Sequence, residues 1–241
     1  MKVVAVIPAR LASTRLPRKM LREIAGEPLI ARVYRSVERC RSLSEIVVAT
    51  DSEEILEACR QRGIPARMTS PAHRSGTERE HEISCLMSAD VYLNIQGDEP
   101  LTRPEHIESL LEVMRRHGVE VGTLKTPCAE ADINNPGAVK VVTDTSGRAL
   151  YFSRATIPHD RDGARPVYYK HLGLYAHTKK ALDMFVRWPE SFLERTERLE
   201  QLRFLENGIP IHVGETPYDT VGVDTEEDLR RVEAILRSTD K

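Results

Sequence analysis

The sequence lacks the features of two broad classes of protein. None of its apolar stretches reaches the ~18 residues that a helix needs to cross a bilayer, which predicts no membrane contact. Its 35 basic and 37 acidic residues give a net charge of −2, without the excess of positive charge typical of nucleic-acid-binding proteins. The chain also enters an apolar run at once, with no signal-peptide cleavage region, so we expect a cytoplasmic protein that binds neither membranes nor nucleic acids.

Patterns for zinc binding and thiol chemistry are absent as well. The chain has four cysteines, at Cys40, Cys59, Cys85 and Cys128. No two of them are spaced as C-x-x-C, so we interpret them as free thiols of a reducing compartment. His81 and Glu82 precede Ile-Ser-Cys, which breaks the H-E-x-x-H pattern of zinc peptidases. The sequence therefore predicts neither a structural zinc site nor a metallopeptidase.

Neither of the familiar glycine-rich phosphate loops occurs in the opening stretch, residues 3–19. It contains no G-x-x-x-x-G-K-[ST] and no G-x-G-x-x-G, which argues against a P-loop ATPase and against a Rossmann dehydrogenase. Any phosphate bound here would be held by side chains and by the loop backbone, with few glycines.

The opening stretch does combine a strand pattern with a cluster of cations. Residues 3–7 are apolar and mostly β-branched and end at Pro8, which predicts a strand that is buried on both faces. The loop after it carries Arg10, Arg15 and Lys19 at the carboxyl end of the strand, where ligands of open α/β sheets bind. Three cations in this position favour a polyanion such as a phosphate chain, and a solvated basic loop is the alternative.

A second polar loop follows the strand predicted at 90–95. Its sequence is Q-G-D-E-P, in which Gly97 allows a sharp turn and Asp98 and Glu99 project into the same crevice as the cations. Carboxylates beside a phosphate chain need a cation between them, and hard oxygen ligands together with phosphates favour Mg²⁺. A proline-terminated acidic turn is the alternative interpretation.

The order of the predicted strands and helices changes near residue 127. Before that point strands alternate with helices four times, which predicts an α/β fold with a Rossmann-like, doubly wound, mostly parallel sheet. After it, a hairpin, a polar loop and shorter elements predict a smaller mixed β/α elaboration. We expect a single domain over 1–241, divided by role into 1–126, 127–215 and 216–241.

Hydrophobic periodicity and turn residues predict the individual elements. The predicted strands are 3–7, 45–51, 66–69, 90–95, 119–126, 138–143, 148–152, 167–176 and 209–213. The predicted helices are one that opens at Pro28 and those at 53–62, 104–117, 179–187, 196–205 and 226–236.

Eight motifs, in order along the chain, resemble those of a known enzyme family. They are P-A-R-x-x-S-T-R-L-P-x-K (8–19), H-R-S-G-T-E-R (73–79), N-I-Q-G-D-E-P (94–100), N-P-x-A-V-K-V-V (135–142), A-L-Y-F-S-R-A-T-I-P (149–158), K-H-L-G-L-Y (170–175), L-E-Q-L-R (199–203) and G-V-D-T (222–225). The set is similar to that of sugar nucleotidyltransferases that use CTP, in particular the 3-deoxy-manno-octulosonate cytidylyltransferase family. The resemblance implies a nucleotide-diphospho-sugar transferase fold. It also implies transfer of CMP from CTP to 3-deoxy-D-manno-octulosonate (KDO) for lipopolysaccharide biosynthesis, with release of pyrophosphate.

The resemblance also implies a nucleotide site. Its residues would be Pro8, Ala9, Arg10, Ser13, Arg15, Lys19, Arg74, Ser75 and Thr77. The last three would read the cytosine base, although helix capping is the favoured interpretation of that loop from its residues alone. The implied catalytic residues are Lys19, Asp98 and Asp224, and the two carboxylates would hold Mg²⁺. From the residues alone, Asp224 could simply cap the last helix.

A sugar site is implied mainly in the second half of the chain. Its residues would be Gln96, Arg154, His171, Tyr175, Glu200 and Gln201. Arg154 would pair with the carboxylate of the acidic octulosonate. With a period of two, His171 and Tyr175 face the same side of their strand, and a packed strand with satisfied polar residues is the alternative. The resemblance further implies a homodimer that pairs through the second half of the chain.

Position 80 departs from the family pattern. It is Glu where the pattern has an apolar residue. We interpret this change as a surface position on the helix that follows the base-reading loop.

Two alternatives to the implied activity stay open. The first is a cytidylyltransferase for 8-amino-KDO or a sialic acid, which the pocket residues are too few to distinguish. The second is a catalytically silent, nucleotide-binding regulator. The silent regulator is disfavoured because proteins that have lost catalytic turnover have usually also lost residues of this kind. Here they are all present, at Arg10, Lys19, Asp98 and Asp224.

Overall fold

The computed structural model describes residues 1–116 and 118–239. Its strands are β1 (Val3–Ala9), β2 (Glu23–Ile24), β3 (Glu27–Pro28), β4 (Glu45–Thr50), β5 (Ala66–Met68), β6 (Val91–Asn94), β7 (Val121–Pro127), β8 (Lys140–Thr143), β9 (Ala149–Ser153), β10 (Tyr169–His177) and β11 (Ile211–Glu215). Its helices are α1 (Leu29–Glu38), α2 (Glu53–Arg60), α3 (Gly76–Leu86), α4 (Pro104–Met114), α5 (Glu130–Ile133), α6 (Lys179–Phe185), α7 (Phe192–Glu197), α8 (Leu202–Glu206) and α9 (Glu226–Thr239), with a 3₁₀ helix at Lys19–Leu21.

The chain forms two compact units. The first consists of Met1–Glu108 together with the segment that begins at Thr220, and the second is Ser109–Asp219. In the first unit β1 pairs in parallel with β4 and β6, and β4 pairs in parallel with β5. Helices separate these strands along the chain, as a parallel sheet requires. The predicted α/β fold class is confirmed.

The first strand extends further than predicted. β1 continues through Pro8 to Ala9, so the end predicted before Pro8 is wrong. The register of β1 with β6 ends at Val6 and Asn94, where the carbonyl of Val6 accepts a hydrogen bond from Ile95 N over 3.0 Å. Residues 6 and 8 direct their backbone N–H and C=O groups to the same side of the strand, towards β6. The hydrogen-bond ladder between β1 and β6 has ended before Pro8, so its missing N–H costs no hydrogen bond of that ladder.

The second unit is a mixed α and β structure, as predicted. β10 pairs antiparallel with β7 and β8, β8 pairs antiparallel with β9, and β11 pairs in parallel with β7. Its core is an apolar cluster that includes Phe152, Phe185 and Phe204, each at most 1% exposed. The aromatic rings of Phe185 and Phe204 lie 5.2 Å apart between their centroids. This cluster holds β9 against the short helices α6 and α8.

Several predicted helices end at other residues than the observed ones, and one prediction is wrong in kind. The helix predicted at 104–117 ends at Met114, and its predicted last residue lies outside the described residues. The helix predicted at 196–205 is wrong, because α7 ends at Glu197 and α8 begins at Leu202. Between them Arg198 has a φ of 56°, and Leu199 turns into the core, where it is 7% exposed. In the described part of the chain, the helices are either too short or too polar to cross a membrane.

The cysteines are free thiols, as predicted. Cys40 and Cys59 are buried, and burial raises the pKa of each thiol to about 11. Both are therefore protonated at neutral pH and behave as apolar packing groups.

Candidate active site

The loop after β1 is anchored by one apolar side chain. Leu16 is 1% exposed and packs in a cluster that includes Val223 and residues of α9. Two residues later, Arg18 takes up a left-handed backbone conformation, with a φ of 56°, and the 3₁₀ helix follows. This turn buries Lys19, which is only 7% exposed, and leaves Arg15 on the surface.

Lys19 joins two carboxylates that are far apart in the sequence. Its Nζ lies 2.5 Å from Asp98 Oδ2 and 2.9 Å from Asp224 Oδ1. Arg15 Nη2 lies 3.0 Å from Asp224 Oδ2. The backbone N of Val223 donates to the carbonyl of Asp98 over 2.9 Å, which ties the two acidic segments together. The structure thus brings together the three side chains that the family resemblance implies as catalytic.

The charges in this cluster balance one another. Burial lowers the pKa of Lys19, but the charges and hydrogen bonds of Asp98 and Asp224 outweigh it, and the pKa of Lys19 is raised overall. Lys19 is therefore a cation at neutral pH. It offsets the repulsion between two carboxylates that lie close to the same atom.

Gly97 allows the loop after β6 to pass close to β1. A Cβ atom at this position would lie 2.6 Å from the carbonyl oxygen of Pro8 and 3.2 Å from the Sδ of Met20. Real side chains do not approach a backbone oxygen so closely, so only glycine fits without a backbone shift. The close approach places Asp98, the next residue, beside Lys19.

Asp98 and Asp224 could hold a metal ion. Both lie within hydrogen-bond distance of one ammonium group, so a single cation can reach both carboxylates. Among the described residues, no group of three or more His, Cys, Asp or Glu side chains is placed to hold a metal. One or two carboxylates, with water and substrate phosphates, are nevertheless the usual ligands of Mg²⁺ at nucleotide sites. The donor set therefore fits Mg²⁺ better than a metal with an all-protein cage.

The loop that the family resemblance implies for base reading leads into α3. Ser75 is the N-cap, and its Oγ accepts a hydrogen bond from Glu78 N over 3.2 Å, so the capping predicted from the residues alone is confirmed. Its hydroxyl proton can still be donated elsewhere. Thr77 is buried in the first turn, and Arg74 is exposed just before the cap. The three residues implied for base reading thus lie at one helix N-terminus.

The loop before this helix is held from two sides. Arg10 Nη2 donates to the carbonyl of His73 over 2.7 Å. Glu82, in the second turn of α3, accepts a hydrogen bond from Ser70 N over 2.9 Å and lies 2.5 Å from Nε2 of His73. The contact of Arg10 with His73 connects the loop after β1 to the loop before α3.

Arg79 is a positioning residue that the sequence reasoning missed. Its side chain is 0% exposed, donates to Thr69 Oγ1 over 2.6 Å and pairs with Asp51. These partners follow β5 and β4, so Arg79 ties α3 to the ends of two strands. The available signal was Asp51, a carboxylate placed directly after a buried strand.

The residues implied for sugar binding lie in both units. Gln96, in the first unit, donates from Nε2 to Asn94 Oδ1 over 3.3 Å. Arg154, in the second, donates from Nε, Nη1 and Nη2 to three backbone carbonyls, those of Glu197, Pro136 and Arg198, at 2.7, 3.0 and 3.3 Å. A guanidinium has five N–H groups, so within the described residues two of them stay available to a ligand.

His171 and Tyr175 lie on the same side of β10, as predicted, with ring centroids 5.4 Å apart. His171 is buried, and its Nε2 lies 3.0 Å from Thr123 Oγ1. Burial lowers the pKa of His171 to about 3. The ring is therefore neutral at physiological pH and could serve an acidic ligand only through neutral hydrogen bonds.

Glu200 and Gln201 lie in the connection between α7 and α8, and not on a continuous helix. Gln201 is buried, with 4% of its surface exposed. Its Nε2 is buried without a hydrogen-bond partner among the described residues. An orphan buried donor costs about 1–3 kcal/mol, which an oxygen of a bound ligand would recover.

Comparisons with known proteins agree with one another. A family model described as cytidylyltransferase matches residues 4–213. A Koribacter versatilis (strain Ellin345) protein named 3-deoxy-manno-octulosonate cytidylyltransferase is 63% identical, over 98% of this chain and 91% of the relative. An Acidobacterium capsulatum protein of the same name is 56% identical, over 98% of this chain and 97% of the relative. A solved structure of CMP:2-keto-3-deoxy-manno-octonic acid synthetase complexed with CTP matches with a TM-score of 0.95 and 41% identity, over 99% of this chain and 100% of that chain.

Proposed function

The chain belongs to the family of 3-deoxy-manno-octulosonate cytidylyltransferases, and on that premise we propose that it transfers CMP from CTP to the anomeric hydroxyl of 3-deoxy-D-manno-octulosonate. The sugar oxygen forms a bond to the α-phosphorus, the bond from that phosphorus to the β-phosphate oxygen breaks, and pyrophosphate leaves. The observation that carries the proposal is the convergence of Lys19, Asp98 and Asp224 beside the loops after β1 and β6.

Three cations of the loop after β1 would bind the triphosphate. Arg10 and Arg15 would hold its outer oxygens, and the buried Lys19 would stabilise the charge that develops on the leaving pyrophosphate. The backbone at Pro8 and Ala9, with Ser13, would complete the cradle. No covalent intermediate is required, because positioning and charge neutralisation supply most of the rate in reactions of this type.

Asp98 and Asp224 would hold Mg²⁺ beside the α-phosphate. The bound ion would supply positive charge to the phosphate oxygens and lower the pKa of the sugar hydroxyl. Arg15 contacts Asp224, and this ion pair orients the carboxylate. Arg74, Ser75 and Thr77 would read the cytosine base from the N-terminus of α3.

The acidic sugar would be bound mainly by neutral donors. Arg154 would pair with its carboxylate through the two N–H groups that the backbone carbonyls leave available. Support for the remaining contacts comes from the orphan Nε2 of Gln201 and from the neutral ring of His171, which suit sugar hydroxyls. Tyr175, Glu200 and Gln96 would complete the set.

We further propose a homodimer in the cytoplasm that pairs through the second unit. Large apolar side chains of that unit are exposed, among them Leu150 at 62%, Val167 at 66% and Phe192 at 67%. Exposed apolar groups of this size favour an interface. Light scattering of the purified protein would report the mass of a dimer.

The experiment that tests the activity is pyrophosphate release from CTP with Mg²⁺, with and without the octulosonate. The proposal expects release that depends on the sugar. Release with a sialic acid or with 8-amino-KDO, and not with the octulosonate, would overturn the choice of substrate. CTP binding without release for any acidic sugar would overturn the activity and leave a nucleotide-binding regulator.

A further inference from the structure

Glu80 is buried, although the sequence predicts a surface position. Its side chain is 0% exposed on the face of α3 that packs against β6. Asn94, at the end of β6, is 1% exposed and donates from Nδ2 to Glu80 Oε2 over 2.9 Å. Burying a carboxyl group costs free energy unless hydrogen bonds compensate it. A buried glutamate at this position therefore needs an explanation, whereas a buried apolar residue would not.

The amide of Asn94 connects Glu80 to Gln96. Its Oδ1 accepts a hydrogen bond from Gln96 Nε2 over 3.3 Å. Gly76, the first residue of α3, lies against the same amide, because a Cβ atom at Gly76 would be 3.4 Å from Nδ2 and 3.5 Å from Oδ1. Asn94 is thus enclosed, with its two polar atoms engaged by different partners.

We propose that Glu80 is a positioning residue that sets the orientation of the Gln96 amide through Asn94. The Oε2 atom of Glu80 accepts from Asn94 Nδ2 and so selects the Asn94 rotamer that presents Nδ2 to it. That rotamer turns Oδ1 towards Gln96, which must then offer its Nε2. The Oε1 of Gln96 is left to accept a hydrogen bond from a hydroxyl of the acidic sugar.

This inference rests on the proposed function, because it is as a sugar contact that the orientation of Gln96 matters. If the Asn94 amide were reversed, Gln96 would offer N–H groups where the sugar hydroxyl needs an acceptor. Donor and acceptor mismatches of this kind are penalised more strongly than the loss of a bond to water, because a buried polar group is left unpaired.

The test compares Glu80→Leu with Glu80→Gln. The leucine variant keeps an apolar side chain in the space but removes the acceptor, and we expect the KM for the sugar to rise about threefold to tenfold. The glutamine variant keeps an oxygen that can accept from Asn94, and we expect it to restore the KM to within about twofold of wild type. The KM for CTP should not change in either variant. Glu53→Gln, at an exposed position in the first turn of α2, controls for the loss of one negative charge.

A double-mutant cycle with Gln96→Ala separates positioning from packing. We call the hydrogen bonds from Glu80 through Asn94 to Gln96 the relay. Once the Gln96 side chain is removed, Glu80→Leu should raise the KM for the sugar no further, because the relay no longer reaches a residue that contacts the sugar. Additive effects of the two substitutions would overturn the proposal, and so would parallel increases in both KM values. If Glu80→Leu does not fold, Asn94→Ala breaks the same relay at its middle and should couple to Gln96→Ala in the same way.

A spectroscopic measurement distinguishes failure of this inference from failure of the proposed function. If the wild-type protein releases no pyrophosphate with any acidic sugar, the proposed function fails, and the relay is then followed by the side-chain amide NMR signals. The Gln96 amide signal should shift in Glu80→Leu together with that of Asn94. A shift at Asn94 alone would show that Glu80 does not act on Gln96 and would overturn the inference.

Discussion

The two units of this protein hold their polar side chains in contrasting ways. In the first unit, Lys19, Asp98 and Asp224 come from separate loops, and opposite charges keep them together. In the second unit, Arg154 is held by backbone carbonyls, and His171 is neutral inside the core. The first arrangement suits a ligand that brings several charges, and the second suits a ligand that is mostly hydroxyl groups with one carboxylate.

The difference shows what each kind of site demands of the backbone. A cluster of charges works only if its loops are fixed closely, as the approach of Gly97 to Pro8 and the bond from Val223 to Asp98 achieve. A site of mostly neutral donors can be built on a strand. β10 brings the rings of His171 and Tyr175 to within 5.4 Å of each other, across an irregularity in its register with β7. Substitutions in the two units should therefore impair stability and activity in different ways.

The largest expected effect concerns acid stability and the second unit. The pKa of His171 is lowered to about 3 in the folded protein, from 6.5, because the ring is buried. The unfolded chain therefore binds the proton first as pH falls, and stability is present above pH 6.5 and is lost between pH 6.5 and about 3. This residue alone should lower the free energy of unfolding by roughly 4 kcal/mol between pH 7 and pH 3.

Chemical denaturation across this pH range measures the effect. His171→Gln should flatten the loss of stability in acid, whatever its stability at pH 7. His159→Gln, in an exposed loop, is the matched control and should leave the acid profile as in wild type. An unchanged profile for His171→Gln would show that the ring takes up its proton equally in the folded and the unfolded chain, and the proposed difference between the two units would be wrong.

The next effect concerns charge in the first unit. Asp98→Asn removes half of the carboxylate pair and should lower kcat by on the order of 10²-fold or more, about 2.7 kcal/mol, with CTP still bound weakly. Pyrophosphate release gives the rate and calorimetry gives the CTP affinity. Asp162→Asn, in an exposed loop, should behave as wild type. A near-normal rate for Asp98→Asn would contradict the assignment of the carboxylates.

Gly97→Ala tests whether the charge cluster depends on the backbone. The added Cβ would meet the Pro8 carbonyl at 2.6 Å, so the loop must shift, and we expect a loss of about 1–3 kcal/mol in stability. The displaced Asp98 should also lower kcat about tenfold. Gly222→Ala, whose Cβ would meet nothing within 4 Å, should leave the free energy of unfolding within about 0.5 kcal/mol of wild type. Equal stability of the two variants would show that the close approach is not required.

The smallest effect concerns Arg154, the charged member of the sugar site proposed for the second unit. Arg154→Ala should raise the KM for the sugar about tenfold, by loss of one charge-assisted pair, and leave the KM for CTP unchanged. Steady-state kinetics with each substrate varied in turn measures both constants. Arg161→Ala, on an exposed loop, is the control. A change in the KM for CTP without a change for the sugar would move Arg154 out of the sugar site.

Much of the first unit could be predicted because its signals are local. A β-branched run followed by Arg10, Arg15 and Lys19 predicts a strand and an anion site within one short stretch. The elements of the second unit were harder to predict, because its helices are short and tertiary packing determines where they end. Nothing local indicated that Arg198 would take a left-handed conformation so that Leu199 could reach the core.

The sequence by itself determined the fold class, the family and the chemical types of the candidate site residues, since these depend on patterns and motifs that can be read along the chain. Only the tertiary structure decided that Glu80 is buried beside Asn94, that Arg79 reaches Asp51, and that His171 is neutral. Burial and the partner of a polar side chain depend on residues distant in the sequence. The sequence shows which side chains can carry a charge, but it does not show whether water or the protein interior surrounds them.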